Sequence, residues 1–100
     1  MDDLPLADLV AFTAVARERS FREAARKRGV SASSLSEAVR RLEERLAVRL
    51  LNRTTRSVTP TEAGERLMER LTPAMSEIAG ALDDINSFRD SIGGTLRLNV

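Results

Sequence analysis

Apolar residues recur at helical spacing over most of the chain. Leu6, Leu9, Val10, Thr13 and Ala16 share one face, with Phe12 and Val15 beside them, which predicts a helix over residues 5–18. Pro5 suits its first turn, where a missing N–H costs nothing. Ser20 and Glu23 have the S-x-x-E spacing of a capping box, so a second helix starts at Phe21 and turns Phe21, Ala24 and Ala25 inward. Gly29 ends it, because the left-handed closing conformation suits a residue without Cβ. Val30 reads as the apolar plug of the turn. Ser31 then caps a third helix whose inward stripe is Leu35, Val39, Leu42 and Leu46. Its opposite face carries Ser33, Ser36, Glu37, Arg40 and Arg41.

Residues 47–58 change pattern. Val48, Leu50 and Leu51, a polar tip from Asn52 to Arg56, and then Ser57-Val58 predict a short two-stranded ribbon with a basic turn. Thr59-Pro60-Thr61-Glu62 restarts a helix, with Thr59 as cap, Pro60 in the first turn and Glu62 closing a capping box. That helix is expected to reach Asp90, about 45 Å at the usual rise, longer than so small a domain needs. Along it Leu71, Met75, Ile78, Leu82 and Ile85 repeat at heptad spacing, with Leu67 and Phe88 extending the stripe. Pro73 inside it should kink or split the helix near Thr72. Ser91-Ile92-Gly93-Gly94 reads as a break, and Thr95–Val100 alternates at period two, a strand with nothing in the sequence to pair with. The expectation is that the natural protein continues beyond it.

Composition narrows the chemistry. The chain has no Cys, His, Trp or Tyr. No disulfide or thiolate metal site is possible, and the usual neutral-pH general base is missing. No nucleophile–base pair is visible, so an enzyme is the least expected class, and no cofactor or metal is implied. The longest uncharged runs are eight residues, Leu9–Ala16 and Gly29–Ser36, far short of a membrane span. Asp2 and Asp3 carry the wrong charge for a signal peptide, and a cytoplasmic protein is expected. The net charge of +1 hides a polarity: residues 17–58 hold twelve Arg or Lys against five Glu, or +7, while residues 1–16 and 59–100 each sum to −3. A basic middle between acidic ends points to a localised polyanion-binding surface, or, more blandly, to a solvated helical face.

Residues 21–40 fit a helix-turn-helix. Two short helices crossing steeply need small residues at the crossing, here Ala24 and Ala25, and a tight left-handed turn, here Gly29. The arrangement presents a helix N-terminus and a face of short hydroxyl side chains, Ser31, Ser33, Ser34 and Ser36. These let the backbone approach a major groove and can bond phosphates or base edges. A serine-capped helical hairpin with no DNA role has the same pattern.

The ordered set of motifs is more specific. Phe12-x-x-Val15-Ala16, Ser20-Phe21-x-x-Ala24-Ala25, Gly29-Val30-Ser31, Ser34-Leu35-Ser36-x-x-Val39-x-x-Leu42-Glu43, Leu46-x-Val48-x-Leu50-Leu51-x-Arg53 and Thr61-Glu62-Ala63-Gly64 resemble the N-terminal domain of LysR-type transcriptional regulators. The resemblance covers the first 64 residues closely and the rest loosely. It implies a mainly α fold: a winged helix-turn-helix of three helices and a two-stranded wing over residues 1–58, a linker or dimerisation helix over 59–91, and a hinge and first strand of an absent effector-binding domain over 92–100. It further implies sequence-specific double-stranded DNA binding as a dimer on a partly palindromic site. The recognition helix, about 31–46, would lie in the major groove and the wing, about 52–57, at the minor groove or backbone.

DNA contacts are then expected from Ser31, Ala32, Ser33, Ser34, Ser36, Glu37, Arg40, Arg41, Arg53, Thr54, Thr55 and Arg56. Dimer contacts are expected from Leu67, Leu71, Met75, Ile78, Leu82 and Ile85. A small-molecule inducer would act only through the absent C-terminal domain. Two positions depart from the family pattern. Ala32 stands where Gln or Pro is frequent, and Glu37 where Arg or another polar donor is frequent. Glu37 can accept from cytosine N4 or simply pair with Arg40 or Arg41 along the helix. The rival reading of the whole chain is a protein-interaction module with a coiled-coil helix and a basic face for an acidic partner. RNA is a weaker idea, because single-strand readers stack bases on aromatics and this chain has three Phe in mostly inward positions.

Overall fold

A computed structural model describes residues 4–54 and 56–98, the last six of these by backbone alone. Helices α1 (Leu6–Glu18), α2 (Phe21–Arg28) and α3 (Ala32–Leu46) are followed by strands β1 (Leu51–Arg53) and β2 (Val58–Pro60) and by helix α4 (Glu62–Leu98). The architecture is mainly helical with an antiparallel two-stranded wing, as the motifs predict. The chain divides into two compact units, Met1–Met68 and Glu69–Val100. The boundary between these units lies inside α4.

The first unit is built on a small apolar core in which Phe12, Val15, Val39, Leu42, Leu50 and Leu51 are fully buried. Ala24 and Ala25 are buried at the crossing of α2 with its neighbours, where a larger side chain would hold the helices apart. Among the described residues Thr13 is the buried polar one; its hydroxyl donates to Leu9 O at 2.9 Å, so no buried side-chain hydrogen-bonding group is stranded among them. Ser20 Oγ accepts from Glu23 N and Ser31 Oγ accepts from Ser34 N, each at 3.0 Å, and the helix starts fall where the sequence places them.

Several local expectations are corrected. Val30 is exposed, not a plug: with Gly29 in the left-handed region (φ 70°), Val30 N–H turns back onto Ala25 O at 3.1 Å, and backbone hydrogen bonds close the turn without a buried side chain. Leu46 is also exposed. It occupies the final turn of α3, beyond Leu42, the last side chain of that helix in the core. The cap of α4 is Thr61, not Thr59. Thr59 and Pro60 belong to β2, opposite Asn52 and Leu51, and Thr61 Oγ1 accepts from Gly64 N at 3.0 Å while donating to Arg49 O at 2.7 Å. With Gly at the third helical position the capping box cannot form, so Glu62 closes none.

Helix α4 runs through Pro73 without a break. Proline frees the carbonyl four residues back, that of Glu69, and both residues are exposed, so the freed carbonyl faces solvent rather than a buried gap. The helix also continues through Gly93 and Gly94 to Leu98, where the sequence predicts a break and a strand. No strand lies beside these residues among the described ones, and an unpaired strand leaves backbone groups that a helix satisfies within itself. Asn99 and Val100 lie outside the described residues.

Candidate nucleic-acid interface

The N-terminal half of α3 projects Ser31, Ala32, Ser33 and Ser34 into solvent. Two of these hydroxyls serve the helix itself. Ser31 Oγ holds the cap, and Ser34 Oγ donates back to Ser31 O at 2.9 Å. The Ser33 hydroxyl makes no hydrogen bond among the described residues. One turn on, Glu37 and Arg40 are both exposed and pair with each other at 2.6 Å. The first-turn N–H groups and the helix dipole make this end of α3 electropositive.

Two predicted contact residues, exposed Arg41 and half-buried Ser36, are bonded to other elements of the first unit. Arg41 donates to both carboxylate oxygens of Asp8 on α1, at 2.9 and 3.4 Å, and Asp8 is itself mostly buried. The hydrogen bond first, and the charge second, raise the pKa of the Arg41 guanidinium. This pair ties α3 to α1. Ser36 Oγ accepts from Arg53 Nη1 at 3.1 Å, so its hydroxyl is shared with the wing.

The wing is held by a brace that the sequence pattern does not reveal. Glu43 on α3 is almost covered, its side chain 11 % exposed. Its Oε2 accepts from Leu50 N at 2.8 Å and Leu51 N at 3.2 Å. These amides enter and open β1, and the carboxylate accepts from them where no strand does. Arg53 Nη2 approaches Glu43 Oε1 at 3.8 Å, and its guanidinium lies over the Phe21 ring, 4.8 Å from the centroid. Arg53 therefore touches α2 through Phe21 and α3 through Ser36 and Glu43. A cation over an aromatic face contributes about 0.5–1 kcal/mol at an exposed site. The covert signal was Glu43 itself, a carboxylate four residues after Val39 on the inward side of α3, where an apolar residue would continue the stripe.

At the wing tip, Thr54 Oγ1 accepts from Ser57 N at 2.9 Å and Arg56 N at 3.2 Å and donates to Ser57 O at 3.0 Å. Its hydroxyl is spent on the turn. Arg56 is exposed and its guanidinium has no partner among the described residues. Thr55 lies outside them. On α2, Arg26 pairs with Glu23 at 2.9 Å and Lys27 with Glu18 at 3.0 Å. Arg22 and Arg28 are exposed and unpaired among the described residues. Of the described side chains named from the sequence for DNA contact, all but the half-buried Ser36 are exposed; those of Ser33 and Arg56 bond to nothing else among the described residues, and those of Glu37 and Arg40 bond to each other.

The family model for the bacterial regulatory helix-turn-helix protein, lysR family, matches residues 6–65. The chain belongs to the LysR family. Its relatives include the HTH-type transcriptional regulator YcaN of Escherichia coli (strain K12), 51 % identical over 95 residues, which are 95 % of this chain and 32 % of that protein. They also include the HTH-type transcriptional regulator PgrR of the same organism, 50 % identical with the same coverage. The chain thus spans about a third of the length of these relatives, which are named as regulators rather than enzymes. Among solved structures, the BenM DBD in complex with benA site 1 DNA is similar with a TM-score of 0.76 at 30 % identity, covering 83 % of this chain and 96 % of that one. The BenM DBD with catB site 1 DNA gives 0.74 at 32 % identity, covering 78 % and 87 %. Both are LysR-type DNA-binding domains.

In this LysR-family chain the exposed apolar residues of α4 include Ile78, Leu82, Ile85 and Phe88, each more than half exposed. Leu67, Leu71 and Met75, the earlier members of the predicted stripe, are half-buried. No helix among the described residues is long and apolar enough to cross a membrane.

Proposed function

We propose that this chain binds double-stranded DNA sequence-specifically, as a homodimer, and so regulates bacterial transcription from the cytoplasm. The observation that carries the reading is the outward face of α3. It is a capped helix N-terminus with short side chains, beside a braced wing that ends in Arg56, on a chain of the LysR family. Short side chains let α3 enter a major groove, and the brace fixes the wing so that Arg56 reaches the minor groove or its phosphates. Residues 1–58 carry DNA contact. The stripe Leu67, Leu71, Met75, Ile78, Leu82 and Ile85 within 59–91 is the seam for a second copy, because a row of Ile and Leu left in water gains by pairing. Two copies would read a partly palindromic operator. A small-molecule inducer would act through the part of the relatives' length outside these residues.

Fluorescence anisotropy of a labelled random duplex of about 30 base pairs, titrated at several salt concentrations against an unlabelled single strand, tests the reading. Duplex binding is expected with a Kd of roughly 10⁻⁴–10⁻⁶ M near physiological salt, weakening steeply as salt rises because phosphate neutralisation releases counterions. Arg56→Ala should lower the slope of log affinity against log salt by about one. Duplex affinity unmoved by Arg40→Ala combined with Arg56→Ala would sink the reading and favour a module for an acidic protein partner.

A further inference from the structure

Four exposed positions on the first two and a half turns of α3 are bonded neither to the helix cap nor to another element. Ser31 and Ser34 are bonded to each other at the cap, Ser36 to Arg53 and Arg41 to Asp8. Ala32, Ser33, Glu37 and Arg40 are left, all exposed. Ser33, Glu37 and Arg40 follow one another at spacings of four and three, so they form one strip along the helix. Ser33 is short. The two side chains long enough to reach base edges from deeper in the strip are Glu37 and Arg40, and they are already joined at 2.6 Å.

A carboxylate on a surface that meets phosphates is repelled unless a cation travels with it, and Arg40 is that cation. The chemistry of the pair then restricts what it can face. A carboxylate only accepts hydrogen bonds, whereas an arginine only donates them. In the major groove, hydrogen-bond donors are cytosine N4 and adenine N6. Adenine sets its N7 acceptor beside that donor, which a second carboxylate oxygen would oppose. Cytosine has no such acceptor there. The guanine paired with it offers only the acceptors O6 and N7, which suit an arginine fork.

Resting on the DNA-binding reading above, we propose that Glu37 and Arg40 act as one reading unit for a C·G base pair, Glu37 accepting from cytosine N4 and Arg40 donating to guanine O6 and N7 of the same pair. The Glu37–Arg40 contact seen without DNA is the pre-assembled form of this unit. Arg40 holds the carboxylate in reach and offsets its repulsion from the backbone.

The test is selection of binding sites from a randomised duplex library with the wild-type protein and with Glu37→Ala, Glu37→Gln and Arg40→Lys, each checked for its helical circular dichroism. Wild type should select C·G at one position of each half-site and discriminate against other pairs there by about 5- to 150-fold. Glu37→Ala should lose the preference at that position alone, while its binding to random duplex tightens because one negative charge has left the interface. Glu37→Gln should move the preference toward adenine, whose N6 and N7 match an amide. Arg40→Lys keeps the charge without the fork, and should weaken discrimination at the same position. A motif left unchanged by Glu37→Ala overturns the inference while the DNA-binding reading stands. If wild type selects no motif, both fall.

Discussion

Removing the Glu43 carboxylate should cost this domain much of its stability, and the loss can be worked from the contacts. In Glu43→Ala, Leu50 N and Leu51 N lose their acceptor, at 2.8 and 3.2 Å, inside a region where both leucine side chains are at most 1 % exposed. A hydrogen bond to a charged group contributes about 1.5–3 kcal/mol, and an abandoned buried donor costs about 1–3 kcal/mol. Water entering the space left by the side chain recovers part of this, so a total of about 2–4 kcal/mol is expected. For a domain this small that is a large share of the whole and lowers Tm by about 10–30 °C. Glu43→Gln retains one oxygen for the two amides and should cost about 1 kcal/mol. With no Trp or Tyr in the chain, urea unfolding followed by far-ultraviolet circular dichroism is the suitable assay. If Glu43→Ala unfolded within about 0.5 kcal/mol of wild type, the brace would not be a source of stability. If Glu43→Gln were as damaging as Glu43→Ala, attraction to Arg49 and Arg53, whose guanidinium nitrogens lie 3.9 and 3.8 Å from the carboxylate, rather than the amide bonds would carry it.

Other consequences are smaller. Gly64 lies so close to the wing that an added Cβ would overlap Leu50 O, the same carbonyl that accepts from Thr61 N at 2.9 Å. Gly64→Ala should therefore destabilise by about 1–3 kcal/mol in the same unfolding assay. Ala47 closes α3 in the left-handed region (φ 57°), which costs an L-residue about 1–2 kcal/mol. Ala47→Gly should stabilise by up to about 1 kcal/mol after glycine's extra freedom in the unfolded chain is subtracted, and a decrease in the urea midpoint would contradict that. The hydrogen bond to Arg26, and then its charge, lower the pKa of Glu23 from its ordinary 4.5. A depressed folded pKa contributes stability above the unfolded value and loses it as pH falls through the folded one. The stability gap between wild type and Glu23→Gln should be steady near neutral pH and close on acidification below about pH 4.5; a gap that widened there would reverse the assigned sign.

Much of the first unit was legible from local pattern. The starts of α2 and α3 were written in Ser20 and Ser31, because a cap acts on amides two or three residues away. The end of α2 was written in Gly29, because backbone conformation there is a property of one residue. The core positions Val39 and Leu42 followed from helical periodicity, and the outward face of α3 followed as its complement; on α1 the pattern was looser, since Phe12 and Val15, placed beside the stripe, are fully buried and Leu6, placed on it, is exposed. The family was legible for the same reason, since its motifs are an ordered series of such local demands.

What failed lay where residues distant in sequence decide. Thr59 and Pro60 have the local look of a helix start, yet pairing with Asn52 and Leu51 takes them into the wing and passes the cap to Thr61. Val30 is apolar where a turn plug would sit and Leu46 is apolar in phase with α3, yet no neighbouring element covers either. Thr95–Leu98 alternates like a strand, but a strand needs a second strand, whereas a helix needs only itself. Asp8 and Arg41 are 33 residues apart, and no spacing rule joins them. By itself the sequence determined the first three helices, the N-caps of α2 and α3, and the family. Only the tertiary structure decided which charged side chains brace the wing and which stay free to face a polyanion, because a hydrogen bond is set by distance in space and the sequence records distance along the chain.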